Sequence, residues 1–367
     1  MTTGIENVEE QMVEDVRKLV EISSPTYDVP AVALAIDEAN RQLGVRLGSV
    51  GIVKTVKDRP ILHWGSAHPS ILLLCHLDTV WPHGSFTPAW EIDGDRMHGP
   101  GVFDMKAGFV QGVHAIASLR AEFGEKLNQV AILATSDEET GSAASRGYLE
   151  EVAASAKAVF ILESSIGGKL KTARSGTSMY RLEVVGKSVH AGLEPEKGIN
   201  TTIEISYVIP LIAALSHPEI GTTVTPTVLS SGTTLNTVPG LAVLDVDVRA
   251  KTAEEQERVD RQIRNIKGVR GEFNWSGGIN RPPLEAKASR DLYALAEISA
   301  TKLGLPPIGQ AAVGGASDGN FTAAMGIPTI DGIGAVGEGA HAPNEMASIN
   351  GMVERSRLLA EMVRALL

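Results

Sequence analysis

Apolar positions at Ile5, Val8, Met12, Val16, Leu19 and Val20 recur every three to four residues, the spacing that lines one face of an α-helix. A helix is expected over 5–22, ended by Ser23-Ser24-Pro25-Thr26, because proline lacks an N–H and cannot continue the ladder. Uninterrupted apolar runs at 71–75, 130–134 and 159–162 read as buried strands, with helical segments at 106–123 and 142–152 between them. This alternation predicts an α/β domain with a mainly parallel central sheet and helices on both faces.

The pattern changes after Arg174. Strand 177–185, helix 199–215, strands 222–230 and 241–249, helix 252–266 and strand 271–275 follow in the order βαββαβ, a split-βαβ sandwich complete in itself. Beyond Pro282-Pro283 helix and strand alternate again: helix 288–303, loop 313–320, strand 327–330 and a helix from Asn350. The smaller domain is therefore expected as an insertion over 175–282, with 1–174 and 283–367 forming the larger one. No internal repeat or low-complexity tract interrupts this plan.

Composition narrows the function. A chain of 367 residues with 43% hydrophobic and 21% charged positions has the make-up of a folded protein with room for two cores. Its 33 basic and 44 acidic residues leave a net charge of −11 without a basic run, which argues against nucleic acid as a partner. No apolar stretch is long enough to cross a bilayer. Cys75 is the single cysteine, so no disulfide framework is possible, and no basic and then apolar leader precedes the acidic start 4–14. A cytoplasmic protein is expected.

Metal-type side chains then recur in telling places: His76-Leu77-Asp78, Asp104, Glu138-Glu139, Glu163 and His341 each follow an apolar strand or lie in a Gly-rich loop. Singly, each has a plainer explanation, His76 as a core histidine, Asp104 as a helix N-cap, Glu138-Glu139 as an exposed pair. Their shared position favours chemistry, since ligands of open α/β sheets bind beyond the carboxyl ends of the strands. Histidines with several carboxylates suit a borderline ion such as zinc in an open site. Of two adjacent acids, one can bind metal while the other accepts a proton.

The segments "CHLDTV" (75–80), "GPGVFDMKAG" (99–108), "SDEETGS" (136–142), "LES" (162–164), "GKSVHAG" (186–192) and "GAHAPNE" (339–345) together resemble the dinuclear zinc amidohydrolases of the carboxypeptidase G, acetylornithine deacetylase and succinyl-diaminopimelate desuccinylase superfamily. The resemblance runs in order over almost the whole chain and is nearest to the glutamate carboxypeptidase branch. It implies two zinc ions per subunit, replaceable by cobalt or manganese. Asp104 would bridge them, with His76 and Glu163 completing one site and Glu139 and His341 the other. Asp78 would hold the second ring nitrogen of His76, the bond after Asp104 is often cis, and Glu138 would be the general base.

In the inserted domain the resemblance implies that His190 reaches across a homodimer to polarise the scissile carbonyl; as residues alone, "KSVHAG" reads as a surface loop. Asn236 in "LNTVPG" and Arg249 in "DVDVRA" match substrate-binding positions, Arg249 by a bidentate contact to a carboxylate, although a strand-end arginine at the surface would look the same. Lys169 matches a lysine of glutamate-releasing relatives, with Lys171 and Arg281 adding positive charge. Val313 and Ala316 in "VGGASDG" depart from glutamate-specific relatives. The expected activity is hydrolysis of the amide joining an acyl or peptidyl group to a C-terminal amino acid with a free carboxylate. The rivals are an N-acyl amino acid deacylase of the same superfamily and a catalytically silent metal-bound protein. A cysteine-liganded branch is disfavoured because Cys75 precedes His76 in the strand and should point away from it.

Overall fold

The computed structural model describes residues 3–367, with side chains from Val8 onward. The first helix is Thr3–Val20; Met12, Val16, Leu19 and Val20 of the predicted stripe are buried and Val8 is exposed, while the side chain of Ile5 lies outside the described residues. The chain forms two compact units. One runs to Ala173 and includes Ala286–Val313 and Ser317–Leu367; the other is Arg174–Glu285 with Gly314–Ala316.

The first unit is built on a six-stranded sheet in the order Ile52–Val56, Arg59–Gly65, Val130–Thr135, Ile71–His76, Ala158–Ile161, Thr329–Ile330. The last four are parallel, and the first two add an antiparallel hairpin at one edge. From Ile71–His76 the chain moves to one neighbour through the helix Ala107–Phe123, then crosses to the other neighbour through Arg146–Ala153. The two helices cover opposite faces. Phe109, Val113 and Ile116 share a core with Leu73 and Ile132, whereas Leu149 and Val152 pack with Leu72, Leu74 and Leu133. This reversal beside Ile71–His76 leaves a crevice at the carboxyl ends of the strands.

Several boundaries differ from the sequence reading. The helix expected at 106–123 begins as an α-helix at Ala107 and follows a wider turn, Val102–Lys106, in which Asp104 and Met105 leave helical geometry. Asp104 makes no N-cap bond. The helix expected from 142 starts at Arg146, because Ser142 has φ +57°, outside the helical region. The strand expected at 271–275 continues to Arg281, through polar and glycine positions without apolar alternation. The expected loop 313–320 is flanked by strand Gln310–Val313 and helix Gly319–Ala324. The helix Val29–Leu47 and the hairpin after it were not foreseen.

The second unit is an antiparallel sheet in the order Thr223–Ser231, Leu241–Ala250, Gly176–Val185, Glu272–Arg281, with helices Thr201–Ala213 and Ala253–Asn265. Tyr180, Leu182 and Val184 alternate with exposed Met179, Arg181, Glu183 and Val185, so one face is buried and the other is exposed. The helices bury Ile205, Val208, Ile212, Val259 and Ile263 against it. Among the described residues no helix is long and apolar enough to cross a membrane.

Candidate metal centre

His76 is the last residue of Ile71–His76. Alternation along the strand turns Leu73 and Cys75 into one core and Leu72 and Leu74 into the other, so neighbouring Cys75 and His76 side chains diverge. Burial pushes the Cys75 thiol up to about 12 and leaves it protonated. The His76 ring is buried, with Nδ1 3.0 Å from the Asp78 carbonyl oxygen and 3.5 Å from the Asp78 carboxylate. Its nearer partner is thus the main chain of Asp78 rather than the expected carboxylate. A ring donating through Nδ1 keeps a lone pair on Nε2. That atom lies 3.3 Å from Asp104 Oδ1 and 3.5 Å from Glu163 Oε1.

The other oxygen of Asp104 faces elsewhere. His341, at φ +60°, places Nε2 3.3 Å from Asp104 Oδ2 and 3.2 Å from Glu139 Oε2. Each oxygen of one carboxylate therefore faces a different histidine. The peptide bond from Asp104 to Met105 is cis. Glu163 follows Ala158–Ile161 and is set by close packing, since a Cβ at Gly108 or Gly334 would stand 2.0 Å from the Leu162 carbonyl oxygen.

These distances suit divalent ions. Donors about 2.0–2.1 Å from a tetrahedral zinc lie roughly 3.3 Å from one another, close to the four nitrogen–oxygen separations around Asp104, Glu139 and Glu163. Candidate ligand atoms of His76, Glu138 and Glu163 lie within 4.8 Å of one another, as do those of His76, Asp104 and Glu139. Glu139 Oε1 is buried without a hydrogen-bond partner among the described residues, an arrangement costly for a carboxylate unless a cation meets it.

The electrostatics match. Burial opposes charge on His76, but Asp104, Asp78 and Glu163 hold the ring well above its ordinary value. Asp104 and Glu139 push His341 up to about 10. Burial also opposes charge on Asp104, yet the two histidines keep it below the carboxylate range. Glu139 is pushed up to about 7, chiefly by burial, although His341 pulls it down and Asp104 adds to the rise. Negative groups crowded in this way are stabilised by a bound cation, whose charge favours the deprotonated form of all four side chains.

Glu138 is buried beside this cluster. Its backbone N–H and that of Glu139 donate to the two oxygens of Asp78 at 3.3 and 3.2 Å, and Thr26 Oγ1 donates to Asp78 at 2.8 Å. Asp78 thus fixes the turn carrying both glutamates. Thr26 was not foreseen; it lies 52 positions from Asp78 in what reads only as a helix-ending segment. Lys169 is exposed at a turn, while buried Lys171 brings Nζ to 3.8 Å from Glu163 Oε2 and 3.5 Å from Ser164 Oγ. Of the two lysines, Lys171 meets the metal-type cluster.

In the second unit His190 is exposed, and its Nδ1 accepts the Gly192 N–H at 3.0 Å. The neutral ring then carries its proton on Nε2, ready to donate. The loop pairs with the segment around Asn236: Ala191 N–H donates to the Asn236 carbonyl at 2.8 Å, bringing these residues together across 45 positions. The fork of Arg249 is closed on Asp247, Nε to Oδ1 at 2.9 Å and the second nitrogen to Oδ2 at 2.8 Å. A substrate carboxylate using this edge of the guanidinium would have to compete with Asp247. Arg281 ends its strand buried, its carbonyl accepting from Gln256 Nε2 at 2.9 Å.

The model of peptidase family M20/M25/M40 matches residues 72–365. Carboxypeptidase G2 of Pseudomonas sp. (strain RS-16) is 28% identical over 96% of this chain and 88% of its own length. Succinyl-diaminopimelate desuccinylase of Sulfurovum sp. (strain NBC37-1) is 27% identical over 82% and 84%. Among solved structures, the YxeP protein of Bacillus subtilis, described as a dinuclear metal-binding peptidase, superposes with a TM-score of 0.68 at 15% identity over 99% of both chains.

Proposed function

The chain belongs to peptidase family M20/M25/M40, and from that premise we propose that it is a dinuclear zinc hydrolase releasing a C-terminal amino acid with a free carboxylate from its acyl or peptidyl partner. The observation that carries this reading is the division of Asp104, Oδ1 facing His76 and Oδ2 facing His341. His76, Asp104 and Glu163 would hold one ion, and His341, Asp104 and Glu139 the other. When bound, the ions act as Lewis acids that polarise the scissile carbonyl and lower the pKa of water.

The residues would divide the remaining work. Glu138 takes the proton of the attacking water and returns it to the leaving nitrogen. His190 donates from Nε2 to the carbonyl oxygen as negative charge develops, with Asn236 beside it. Arg249 binds the substrate carboxylate in exchange for Asp247; Lys171, with Lys169 and Arg281, supplies further positive charge for an anionic substrate. If His190 serves a partner's site, the enzyme is a homodimer through the second unit. Exposed Ile203, Tyr207 and Leu211 at helical spacing, and Val228 and Leu229 on the edge strand Thr223–Ser231, support that role. A lone, buried Cys75 suits the reducing cytoplasm, the proposed location.

The second reading is an N-acyl amino acid deacylase, favoured by the desuccinylase relative. One experiment separates the two: zinc-, cobalt- or manganese-loaded protein assayed on N-acyl glutamates, peptidyl glutamates and succinyl- or acetyl-diamino acids. Preference for a glutamate-like released residue across varied acyl groups supports the carboxypeptidase, whereas preference fixed by the acyl group supports the deacylase. Failure of all substrates with two ions bound would sink both.

A further inference from the structure

Glu345 closes the segment "GAHAPNE", of which only His341 has so far been given a role. Its carboxylate is fully buried and forms no ion pair among the described residues. Four N–H groups converge on it instead. Oε1 accepts from the backbone of Phe103 at 2.9 Å and of Asp104 at 3.1 Å; Oε2 accepts from the backbone of Gly101 at 3.1 Å and from Trp81 Nε1 at 2.7 Å. Three of the four donors lie in the segment that presents Asp104.

That segment needs an outside acceptor. Asp104 at φ −121°, ψ 90° and Met105 at φ −136°, ψ 35° leave helical geometry, so the preceding N–H groups lack a regular helical ladder. The pairing of Met346 with His98 sets Glu345 beside the start of this turn. Glu345 also lies four residues after His341, so one loop both supplies a histidine to Asp104 Oδ2 and grips the main chain of Asp104.

We propose that Glu345 is a positioning residue for the metal centre: its carboxylate fixes the Gly101–Asp104 main chain so that the two oxygens of Asp104 divide between the two ion sites. The inference rests on the dinuclear reading above. It also makes the isosteric amide a poor substitute, because a glutamine NH₂ would oppose two N–H donors whichever way it turned.

The test compares wild type, Glu345→Gln and Asp15→Asn. Asp15 is an equally buried carboxylate that accepts from His114 at 2.9 Å and Arg46 at 2.8 Å, with no part in the centre. Zinc affinity is measured by chelator competition, and the visible spectrum of the cobalt-loaded protein reports ligand geometry. Glu345→Gln is expected to bind the ions at least roughly tenfold more weakly and to alter the cobalt spectrum, in keeping with outer partners of metal ligands. Asp15→Asn is expected to lose thermal stability while keeping wild-type metal affinity and spectrum. A folded Glu345→Gln protein with wild-type affinity and spectrum overturns the proposal, as does an equal loss of metal in Asp15→Asn. Should Glu345→Gln not fold, Glu345→Asp decides: a loss of about threefold or more in affinity supports the proposal and wild-type affinity overturns it. Wild type that takes up no pair of ions overturns the dinuclear reading and this inference together; wild type with two ions and an unaffected variant overturns this inference alone.

Discussion

The carboxylate of Asp78 accepts the backbone N–H of Glu138 at 3.3 Å, and its other oxygen accepts the N–H of Glu139 at 3.2 Å. One side chain therefore sets both the proposed base and a proposed ligand. Asp78→Asn must turn an NH₂ toward one of these N–H groups, or toward Thr26. Turnover should fall roughly 10- to 100-fold, as for other outer-sphere partners. Wild-type kcat in a correctly folded, metal-loaded variant would show that the turn does not depend on Asp78.

Glu138 and Glu139 are adjacent but should fail differently. Glu138→Gln is expected to retain both ions and lose on the order of 100-fold or more in kcat, since the amide cannot accept the proton. Glu139→Gln should weaken metal binding first, with kcat partly recovered at high metal concentration. Identical behaviour of the two variants in a combined metal and rate titration would remove the distinction.

Mixing His190→Ala with Glu138→Gln protein tests whether His190 serves a partner's site. Under subunit exchange, a heterodimer would contain one site with both groups intact. Activity approaching half of the wild-type value per heterodimer, roughly one of two sites, is expected. Proven exchange without recovered activity would confine His190 to its own chain.

Arg249 and Asp247 form a bidentate pair along one edge of the guanidinium, so a substrate carboxylate that used this edge would have to displace Asp247. Asp247→Asn should lower KM for a carboxylate substrate by about threefold or more, because a neutral amide competes less well for the guanidinium. Arg249→Lys should be nearly as damaging as Arg249→Ala, since a point charge cannot reproduce the fork. These variants are compared on a carboxylate substrate and its amide. Unchanged discrimination in Arg249→Ala would mean that Arg249 does not read the carboxylate.

Acid stability has a separate local source in Asp15. Burial opposes its charge, but His114 and Arg46 hold its carboxyl below the ordinary value of 3.8. A depressed folded-state pKa contributes stability above the unfolded value, and that stability is lost as pH falls through the folded one. Asp15→Asn should therefore cost on the order of 2 kcal/mol at neutral pH, and the gap from wild type should narrow below about pH 4. Urea unfolding at pH 7 and pH 3.5 measures both; an undiminished gap at low pH would assign the stabilisation elsewhere.

What the sequence determined by itself was local in origin. Continuous apolar runs such as Ile71-Leu72-Leu73-Leu74-Cys75 require buried strands, and alternation after Arg174 requires a sheet with one wet face. The helix Val29–Leu47 was missed although its signals are equally local: Asp28 as N-cap, a proline in its first turn and Val32, Ala35, Ile36, Ala39 and Leu43 on one face. The metal-type residues stood out because charged groups following apolar strands need a reason to be there. Only tertiary structure decided how they are arranged, since neither period nor composition encodes which groups meet across hundreds of positions. It gave one oxygen of Asp104 to His76 and the other to His341. It set the Asp78 carboxylate between the His76 ring and the Glu138-Glu139 turn, closed Arg249 on Asp247, and placed Glu345 under a main chain 241 positions away. These partnerships arise where the folded chain leaves buried N–H groups and charges to be satisfied, a requirement that exists only once distant segments have packed together.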